Sequence, residues 1–234
     1  MSTNYPLIET KDLTKIFRRK NDLSVKAVNG VNLEIFSGES LAVVGRSGSG
    51  KTTLLNLIGS LDTPTSGYVK FQGKQLNSFS HRDLALFRRQ KIGFVFQTFN
   101  LLPGLTVTEN VESALVHSQL KRVKVTEKVA DLLNSLKIAD LANRLPFELS
   151  EGQQQKVAIA RALIKNPALV LADEPTGEMD PIAGKEIVEK LAELNKESKI
   201  TLVVASHGIL SHFSADRTLF LDAGKLVSRE QAGY

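Results

Sequence analysis

Short apolar runs bounded by turn-forming residues predict a series of β-strands in the first hundred residues. Gly38 separates two of these runs, as the glycine of a turn would. A helix is predicted at residues 52–60, directly after a glycine-rich loop. The predicted strands are residues 7–10, 31–35, 40–44, a short strand within 65–73, and 92–97.

The pattern becomes helical at residues 108–149, where apolar positions recur three and four residues apart. Ser150 has the capping position of a further helix. Strands alternate with helices in the rest of the chain, which predicts an α/β fold with a mostly parallel core sheet and an inserted helical subdomain. The later predicted elements are strands at residues 169–175 and 201–207, a helix at 181–196 and a terminal hairpin at 217–227.

The composition is that of an ordinary soluble globular protein, with 42% hydrophobic and 24% charged residues among 234. The absence of cysteine excludes a disulfide framework and a thiolate metal site. No segment approaches the run of about 18 apolar residues that spans a bilayer, so any membrane span is expected in another subunit. The net charge of +5 is spread along the chain without interleaved aromatics, which favours a solvated surface over a nucleic-acid site.

Residues 45–52, GRSGSGKT, match the phosphate-binding pattern G-x-x-x-x-G-K-[ST] completely. The segment lies between an apolar strand and a helix, where its glycines let backbone N–H groups point at phosphate oxygens. The helix N-terminus adds partial positive charge. Lys51 would reach the β- and γ-phosphates, and the Thr52 hydroxyl would bind Mg²⁺. Motif and context together predict an ATP site rather than a glycine-rich turn that resembles one.

A second acidic motif ends the apolar run at residues 169–172, where Asp173 and Glu174 follow. An aspartate at the carboxyl end of a strand beside a phosphate loop can hold Mg²⁺ through water. Glu174 would polarise a water molecule for attack on the γ-phosphate. Two acidic residues in a solvated turn would give the same pattern. The interpretation as a catalytic and metal-binding motif therefore depends on the phosphate loop upstream.

Several further segments resemble, in their order, the motifs of ABC-type ATPases. Residues 149–153, LSEGQ, resemble the LSGGQ signature and precede the acidic strand, as in that family. Gln97 stands at the Q-loop position, Asp180 at the D-loop position and His207 at the switch position. Phe17 stands where the family has an adenine-stacking aromatic residue, most often tyrosine.

The resemblance covers about residues 7–228 and includes finer matches to the lipoprotein-release and macrolide-export group. It implies a single domain, residues 1–234, with a P-loop NTPase core at about 1–97 and 165–234, an N-terminal antiparallel β subdomain and a helical subdomain at about 98–164. It implies ATP and Mg²⁺, a second copy of the chain in an ATP-dependent homodimer, and an integral membrane permease subunit. The implied location is cytoplasmic, peripheral on the cytoplasmic face of the cell membrane, with no nucleic-acid partner.

The resemblance also implies a role for each candidate residue. Glu174, His207 and Lys51 form the catalytic group, in which His207 would hydrogen-bond the γ-phosphate and Gln97 would sense Mg²⁺ and the attacking water. The nucleotide-binding residues are Phe17, Gly45, Arg46, Ser47, Gly48, Ser49, Gly50, Lys51, Thr52, Thr53 and Gln97. The metal residues are Thr52, Gln97 and Asp173, and the D-loop residue is Asp180. The signature residues, which would act on the partner's nucleotide, are Ser150, Glu151, Gly152 and Gln153.

Glu151 departs from the pattern, because the family usually has glycine there. Its carboxylate would either repel the partner's γ-phosphate or point outward, and we expect the dimer to close because the flanking signature residues are intact. Three functions are compared: an ATPase that powers a membrane complex, a nucleotide-gated scaffold with little turnover, and a DNA-handling ATPase. Glu174 and His207 favour the first, Glu151 keeps the second open, and the lack of sustained heptads argues against the third.

Two smaller questions also follow from the sequence. The apolar residues of segment 100–111, NLLPGLTVTENV, suit either a docking groove for a helix of the membrane subunit or the core of the helical subdomain. Arg161 is interpreted as a residue of helix packing or of a surface ion pair rather than of chemistry.

Overall fold

The computed structural model describes residues 5–18, 24–177, 179–208 and 213–234, and two β-sheets form its frame. The first sheet is antiparallel. Its strands are β1 (Ile8–Arg18), β2 (Ser24–Ile35), β4 (Ser66–Phe71) and β5 (Lys74–Gln75), in the order β2-β1-β4-β5. β1 and β2 extend well beyond the predicted apolar runs, because outward-facing polar residues continue an antiparallel pairing without adding hydrophobicity.

The second sheet is mostly parallel, as the sequence predicts. Its strands are β3 (Ser40–Val44), β6 (Ile92–Val95), β7 (Leu169–Asp173), β8 (Thr201–Ser206), β9 (Arg217–Asp222) and β10 (Lys225–Val227). Their order is β10-β9-β3-β8-β7-β6, and all neighbours are parallel except the terminal β9–β10 hairpin. The carboxyl ends of β3, β7 and β8 therefore lie side by side, which is where ligands bind in open α/β sheets.

Six α-helices of the described residues pack around these sheets. They are α1 (Lys51–Ile58), α2 (His81–Lys91), α3 (Val107–Glu112), α4 (Arg122–Ser135), α5 (Glu151–Leu163) and α6 (Pro181–Ser198). The sequence did not predict α2, because it is highly charged and buries only Leu84 and Phe87. In the part of the chain that the structure describes, no helix is both long and apolar enough to cross a bilayer.

Successive residues of the parallel strands enter two different cores. Leu41 and Val43 of β3 belong to the core that includes α1 and the antiparallel sheet. Ala42 and Val44 belong to the core that includes α3, α4, α5 and α6. Strands buried on both faces explain the continuous apolar runs that predicted them.

The strand predicted at residues 92–97 is shorter in the structure, where β6 ends at Val95. Its last paired residue faces Ala172, and the chain then leaves the sheet. Phe99 and Asn100 have positive φ angles of 57° and 50°, which turn the backbone away from the strand direction. Gln97 therefore lies in a loop at the sheet edge rather than in the strand.

Candidate nucleotide site

The phosphate loop connects β3 to α1 and is held against neighbouring backbone. The Gly45 N–H donates to the Ser206 carbonyl at 3.2 Å, which ties the loop to the end of β8. Gly50, just before α1, has a φ of 106°, and a Cβ there would lie 2.0 Å from the carbonyl oxygen of Ala27. Only glycine fits this position, because both the backbone angle and the close approach exclude a side chain.

Lys51 is buried at the base of this loop, with 4% of its surface exposed. Its ammonium donates to the carbonyls of Gly45 at 2.8 Å and Arg46 at 3.2 Å. The same Nζ lies 3.2 Å from Oε1 of Glu174. A buried charge needs such partners, so the loop and the acidic strand end jointly hold the lysine in place.

Glu174 follows β7 directly and connects two candidate catalytic groups. Its second carboxylate oxygen, Oε2, lies 3.5 Å from Nδ1 of His207 at the end of β8. Its backbone N–H donates to the Ala205 carbonyl at 2.9 Å, and its φ of 45° is unusual for a non-glycine residue. Such backbone strain concentrates at functional sites. The structure thus brings Lys51, Glu174 and His207 together at the ends of three adjacent strands.

Asp173 and Thr52 form the part of the site that fits Mg²⁺. The buried Oδ1 of Asp173 has no hydrogen-bond partner among the described residues. Burial raises the pKa of Asp173, the charge of Glu174 adds to this, and Thr52 and Lys51 oppose it. Within the described residues, no cluster of three acidic or histidine side chains forms a metal cage. Nucleotide enzymes hold Mg²⁺ with one or two carboxylates together with phosphates and waters, and Asp173 and the Thr52 hydroxyl are of these ligand types.

Gln97 is exposed and packs beside the loop that follows Glu174. A Cβ at Gly177 would lie 3.5 Å from the Gln97 side chain, so the two segments are in direct contact. The Q-loop position is therefore adjacent to the segment that leads from the acidic strand to Asp180. Among the described residues, no hydrogen bond joins Gln97 to Asp173. A shared role of the two residues in metal binding stays a prediction.

The signature residues lie at the exposed start of α5. Ser150 is the N-cap: its backbone N–H donates to Gln153 Oε1 at 2.9 Å, and its Oγ accepts from the Gln153 N–H at 3.4 Å. A Cβ at Gly152 would lie 3.3 Å from Cβ of Ala183, so the start of α5 packs on the start of α6. Asp180 caps α6 by accepting from the N–H groups of Ile182 and Ala183.

The signature is separate from the phosphate side of the site. Among the described residues, no hydrogen bond or ion pair joins positions 150–153 to Lys51, Glu174 or His207. Glu151, the unusual residue, is exposed in the first turn of α5. A carboxylate at this position is favourable for the helix itself, because it faces the positive end of the helix dipole.

Phe17 lies on β1, one strand away from the segment that contacts the phosphate loop. It pairs with Val25 on β2, and Ala27 of the same strand touches Gly50. The ring is 43% exposed, and the Lys15 ammonium lies 5.2 Å from its centroid. An exposed aromatic face at this place is available for stacking on an adenine.

Two residues of α5 bind the backbone of neighbouring segments of the site, and the sequence analysis did not assign either of them to the site. Gln155 is fully buried and donates from Nε2 to the Pro175 carbonyl at 2.6 Å and to the Phe96 carbonyl at 3.4 Å. It therefore ties the signature helix to the acidic strand end and to the Q-loop. The sequence signal for Gln155 is its position on the buried side of an amphipathic helix. A polar side chain there requires a hydrogen-bond partner.

Arg161 holds the Q-loop from the same helix. Its guanidinium donates to the carbonyls of Asn100 at 2.6 Å and Phe99 at 2.8 Å, the two residues with positive φ. Burial lowers its pKa. The interpretation of Arg161 as a packing or surface ion-pair residue is thereby refined, because its contacts are loop carbonyls and not a carboxylate.

A phosphate loop after β3 of a parallel sheet, with carboxylates at the end of β7 two strands away, defines the chain as a P-loop nucleotide-binding protein. A family model described as "ABC transporter" matches residues 28–177, which is more than half of the chain. This chain belongs to the ABC transporter family and contains its ATPase domain.

Relatives of known sequence and structure agree with this assignment. An uncharacterized ABC transporter ATP-binding protein of Methanocaldococcus jannaschii is 43% identical over 229 residues, covering 96% of this chain and 97% of the relative. The macrolide export ATP-binding/permease protein MacB of Brucella melitensis is 40% identical over 223 residues, but the match covers only 34% of MacB. A dimeric, post-hydrolysis structure of the cassette MJ0796 with ADP and Pi has a TM-score of 0.87 and 39% identity over 94% of this chain and 97% of its own.

These findings confirm the family, the α/β P-loop fold and the class of ATPase that the sequence predicted.

Proposed function

We propose that this chain binds ATP with Mg²⁺ and hydrolyses it as the motor subunit of a membrane transport complex, acting as a head-to-tail homodimer. The convergence of Lys51, Glu174 and His207 at three strand ends carries the proposal. These are the groups that phosphoryl transfer needs, because its catalysis is mainly positioning and charge stabilisation.

Lys51 and the phosphate loop form the seat for the nucleotide. The loop N–H groups at residues 45–52 and the start of α1 would hold the phosphates, with Thr53 beside them and the adenine on Phe17. The Lys51 ammonium lies 3.2 Å from Oε1 of Glu174. The β- and γ-phosphates would replace that carboxylate on Lys51, which releases Glu174 for its catalytic task.

Glu174, once released, would orient and polarise the attacking water, and His207 would donate a hydrogen bond to the γ-phosphate. Asp173 and Thr52 would hold Mg²⁺, and Gln97 would contact it from the Q-loop. The metal supplies neutralisation of charge on the phosphate oxygens. The strained backbone of Glu174 fits a side chain that is held ready for one geometry.

A second copy of the chain would complete the site with residues 150–153. The start of α5 is exposed, and helix N-termini bind phosphate through free N–H groups and the helix dipole. The solved relative MJ0796 is dimeric in two structures, at 39% and 40% identity to this chain. Glu151 would point away from the partner's γ-phosphate, and Asp180 would face the dimer partner beside the signature.

The membrane partner would be a separate permease subunit in an export or lipid-extraction complex on the cytoplasmic face of the cell membrane. MacB combines ATP-binding and permease functions under one name, and this chain spans about a third of its length. In segment 100–111, Val107 and Val111 are fully buried, whereas Leu102 is 46% exposed. Val107 and Val111 would pack in the core of the helical subdomain, about residues 98–164. The exposed Leu102 would contact the permease subunit.

The proposal is tested by a Glu174→Gln variant and a matched Glu189→Gln control. Glu189 makes only an exposed ion pair with Lys185, so its change should leave turnover intact. Glu174→Gln should retain ATP binding, lower phosphate release by at least about 100-fold and accumulate an ATP-dependent dimer in sedimentation. The outcome that refutes catalysis is equal inactivity of wild type and variant with the membrane subunit present. That result would leave the nucleotide-gated scaffold as the function.

A further inference from the structure

The last residues of the chain form a compact turn directly after β10, here called the terminal turn (residues 228–234). Ser228 and Gln231 bond to each other reciprocally: the Ser228 N–H donates to Gln231 Oε1 at 3.1 Å and the Gln231 N–H donates to Ser228 Oγ at 3.3 Å. Ala232 N–H then donates to the Ser228 carbonyl, and Gly233 has a φ of 78°. These local bonds give the turn a defined shape and set the direction of Tyr234.

The terminal turn packs onto the rim of the nucleotide site. Ala232 is buried, with 7% of its surface exposed. The Tyr234 ring lies 5.7 Å from that of Phe220 on β9, at a tilt of 36°. A Cβ at Gly233 would lie 3.1 Å from Nη2 of Arg46 in the phosphate loop. The turn is therefore anchored by apolar contacts and touches the loop that would hold the phosphates.

The Tyr234 hydroxyl reaches the backbone of the switch residue. It donates to the His207 carbonyl at 2.7 Å, the length of a strong hydrogen bond. His207 has left β8 at this point, its side chain is 65% exposed, and its Nδ1 approaches Glu174 at 3.5 Å. Packing fixes an exposed ring at a strand end poorly. The hydrogen bond from Tyr234 to the backbone carbonyl of His207 fixes the main chain there, and this restricts where the His207 imidazole can lie.

We propose that Tyr234 is a positioning residue, which holds the His207 backbone so that its imidazole faces Glu174 and the γ-phosphate. This inference rests on the proposed ATPase mechanism and adds to it a residue outside all the sequence motifs. The contribution is one of orientation, because a catalytic group that is misplaced slightly loses much of its effect on the rate. The hydroxyl carries the function, whereas the ring anchors the turn on Phe220.

Tyr234→Phe separates these two parts, because it keeps the ring and removes the hydroxyl. Loss of one such hydrogen bond should lower kcat for ATP by about three- to tenfold. KM should not change, since the nucleotide contacts stay in place. Tyr5→Phe is the matched control, because Tyr5 is 67% exposed. In a His207→Ala background, Tyr234→Phe should have no further effect on kcat, since the group that it positions is absent.

A spectroscopic measurement tests the same idea without turnover. The chain has four histidines, and a His207→Ala sample identifies the His207 signal in a histidine-labelled NMR spectrum. Tyr234→Phe should shift or broaden the His207 ring resonance and leave the other three in place, while Tyr5→Phe changes none. If wild type proves inactive, the proposed function fails and this spectrum alone decides on Tyr234. An unchanged His207 signal, an unchanged kcat in an active enzyme, or an equal loss of kcat in the His207→Ala background would each overturn the inference.

Discussion

The phosphate loop and the signature differ in how much of their surroundings the chain itself supplies. Lys51 is buried and bonded to two carbonyls and to Glu174, so its position is fixed within one chain. Ser150 is exposed and Gln153 is half-buried, and their hydrogen bonds among the described residues are those of their own helix cap. The phosphate loop is already arranged for a ligand, whereas the signature is an exposed helix N-terminus. A site with one prepared half and one exposed half is what a pair of identical chains would complete in each other.

Helix α5 repeats this contrast along its own length. Its start is the exposed signature, and its middle and end, through Gln155 and Arg161, hold the acidic strand end and the Q-loop. One helix therefore contacts the acidic strand end and the Q-loop and also carries the exposed signature. Substitutions in one half should therefore leave the other half intact.

Lys51→Met should break the prepared half by itself. In the proposed site the Lys51 ammonium donates charge-assisted hydrogen bonds to the phosphates, so its loss should lower ATP affinity by about 100-fold. Calorimetry of ATP binding to the isolated chain measures this. Lys185→Met is the control, because Lys185 lies in an exposed ion pair on α6. A loss of less than about threefold for Lys51→Met would show that the loop backbone alone binds the phosphates.

Ser150→Asp should break the exposed half and leave the prepared half intact. Aspartate keeps the helix cap, but in the proposed dimer it would place a carboxylate opposite the partner's γ-phosphate, and turnover should fall by about tenfold or more. Ser150→Asn also keeps the cap without the charge, and it should be the less impaired variant. ADP affinity, which reports the prepared half, should be the same in both. A parallel loss of ADP affinity would contradict the separation of the two halves.

Glu151→Gly, which restores the usual signature residue, should have a smaller effect. Turnover should change by less than about tenfold, because the exposed carboxylate is screened and its neighbours are intact. The melting temperature should fall slightly, since glycine costs a helix about 1 kcal/mol and the favourable charge at its first turn is lost. A rise in phosphate release by orders of magnitude would instead show that the native signature is impaired.

The prepared half was predictable from sequence because its motif is local. Residues 45–52 carry their pattern within one loop, and the strand and helix beside it follow from apolar runs of the right length. The signature helix was predictable for the same reason, from Ser150 as its cap. Helix α2 was missed because its charged sequence has little apolar pattern.

Contacts between distant segments were not predictable from one sequence. The ion pair of Lys51 with Glu174 and the bond of Tyr234 to His207 join residues far apart in the chain. The positive φ of Glu174 is likewise a product of its surroundings, since glutamate has no preference for it. The motifs alone therefore identified the candidate residues, whereas the contacts between these residues could be found only in the folded structure.

Lys165→Met tests the turn that follows α5 and should have the smallest effect. Burial, helped by the Arg161 charge, lowers the Lys165 pKa from 10.5 to about 8. A folded pKa below the unfolded one means that the charged form is disfavoured by folding, so the cost is full below pH 8 and disappears as the pH rises through 10.5.

Methionine removes that cost and keeps the apolar length of the side chain. The Arg88 carbonyl, which accepts from Lys165 at 3.2 Å, still accepts from the Ile92 N–H. With solvent screening of this partly exposed group, the gain at pH 7 should be about 1 kcal/mol, or about 2–4 °C in melting temperature. The gain should shrink between pH 8 and pH 10.5, and ATP turnover should not change. A gain that is independent of pH would mean that Lys165 is disfavoured by packing and not by its charge.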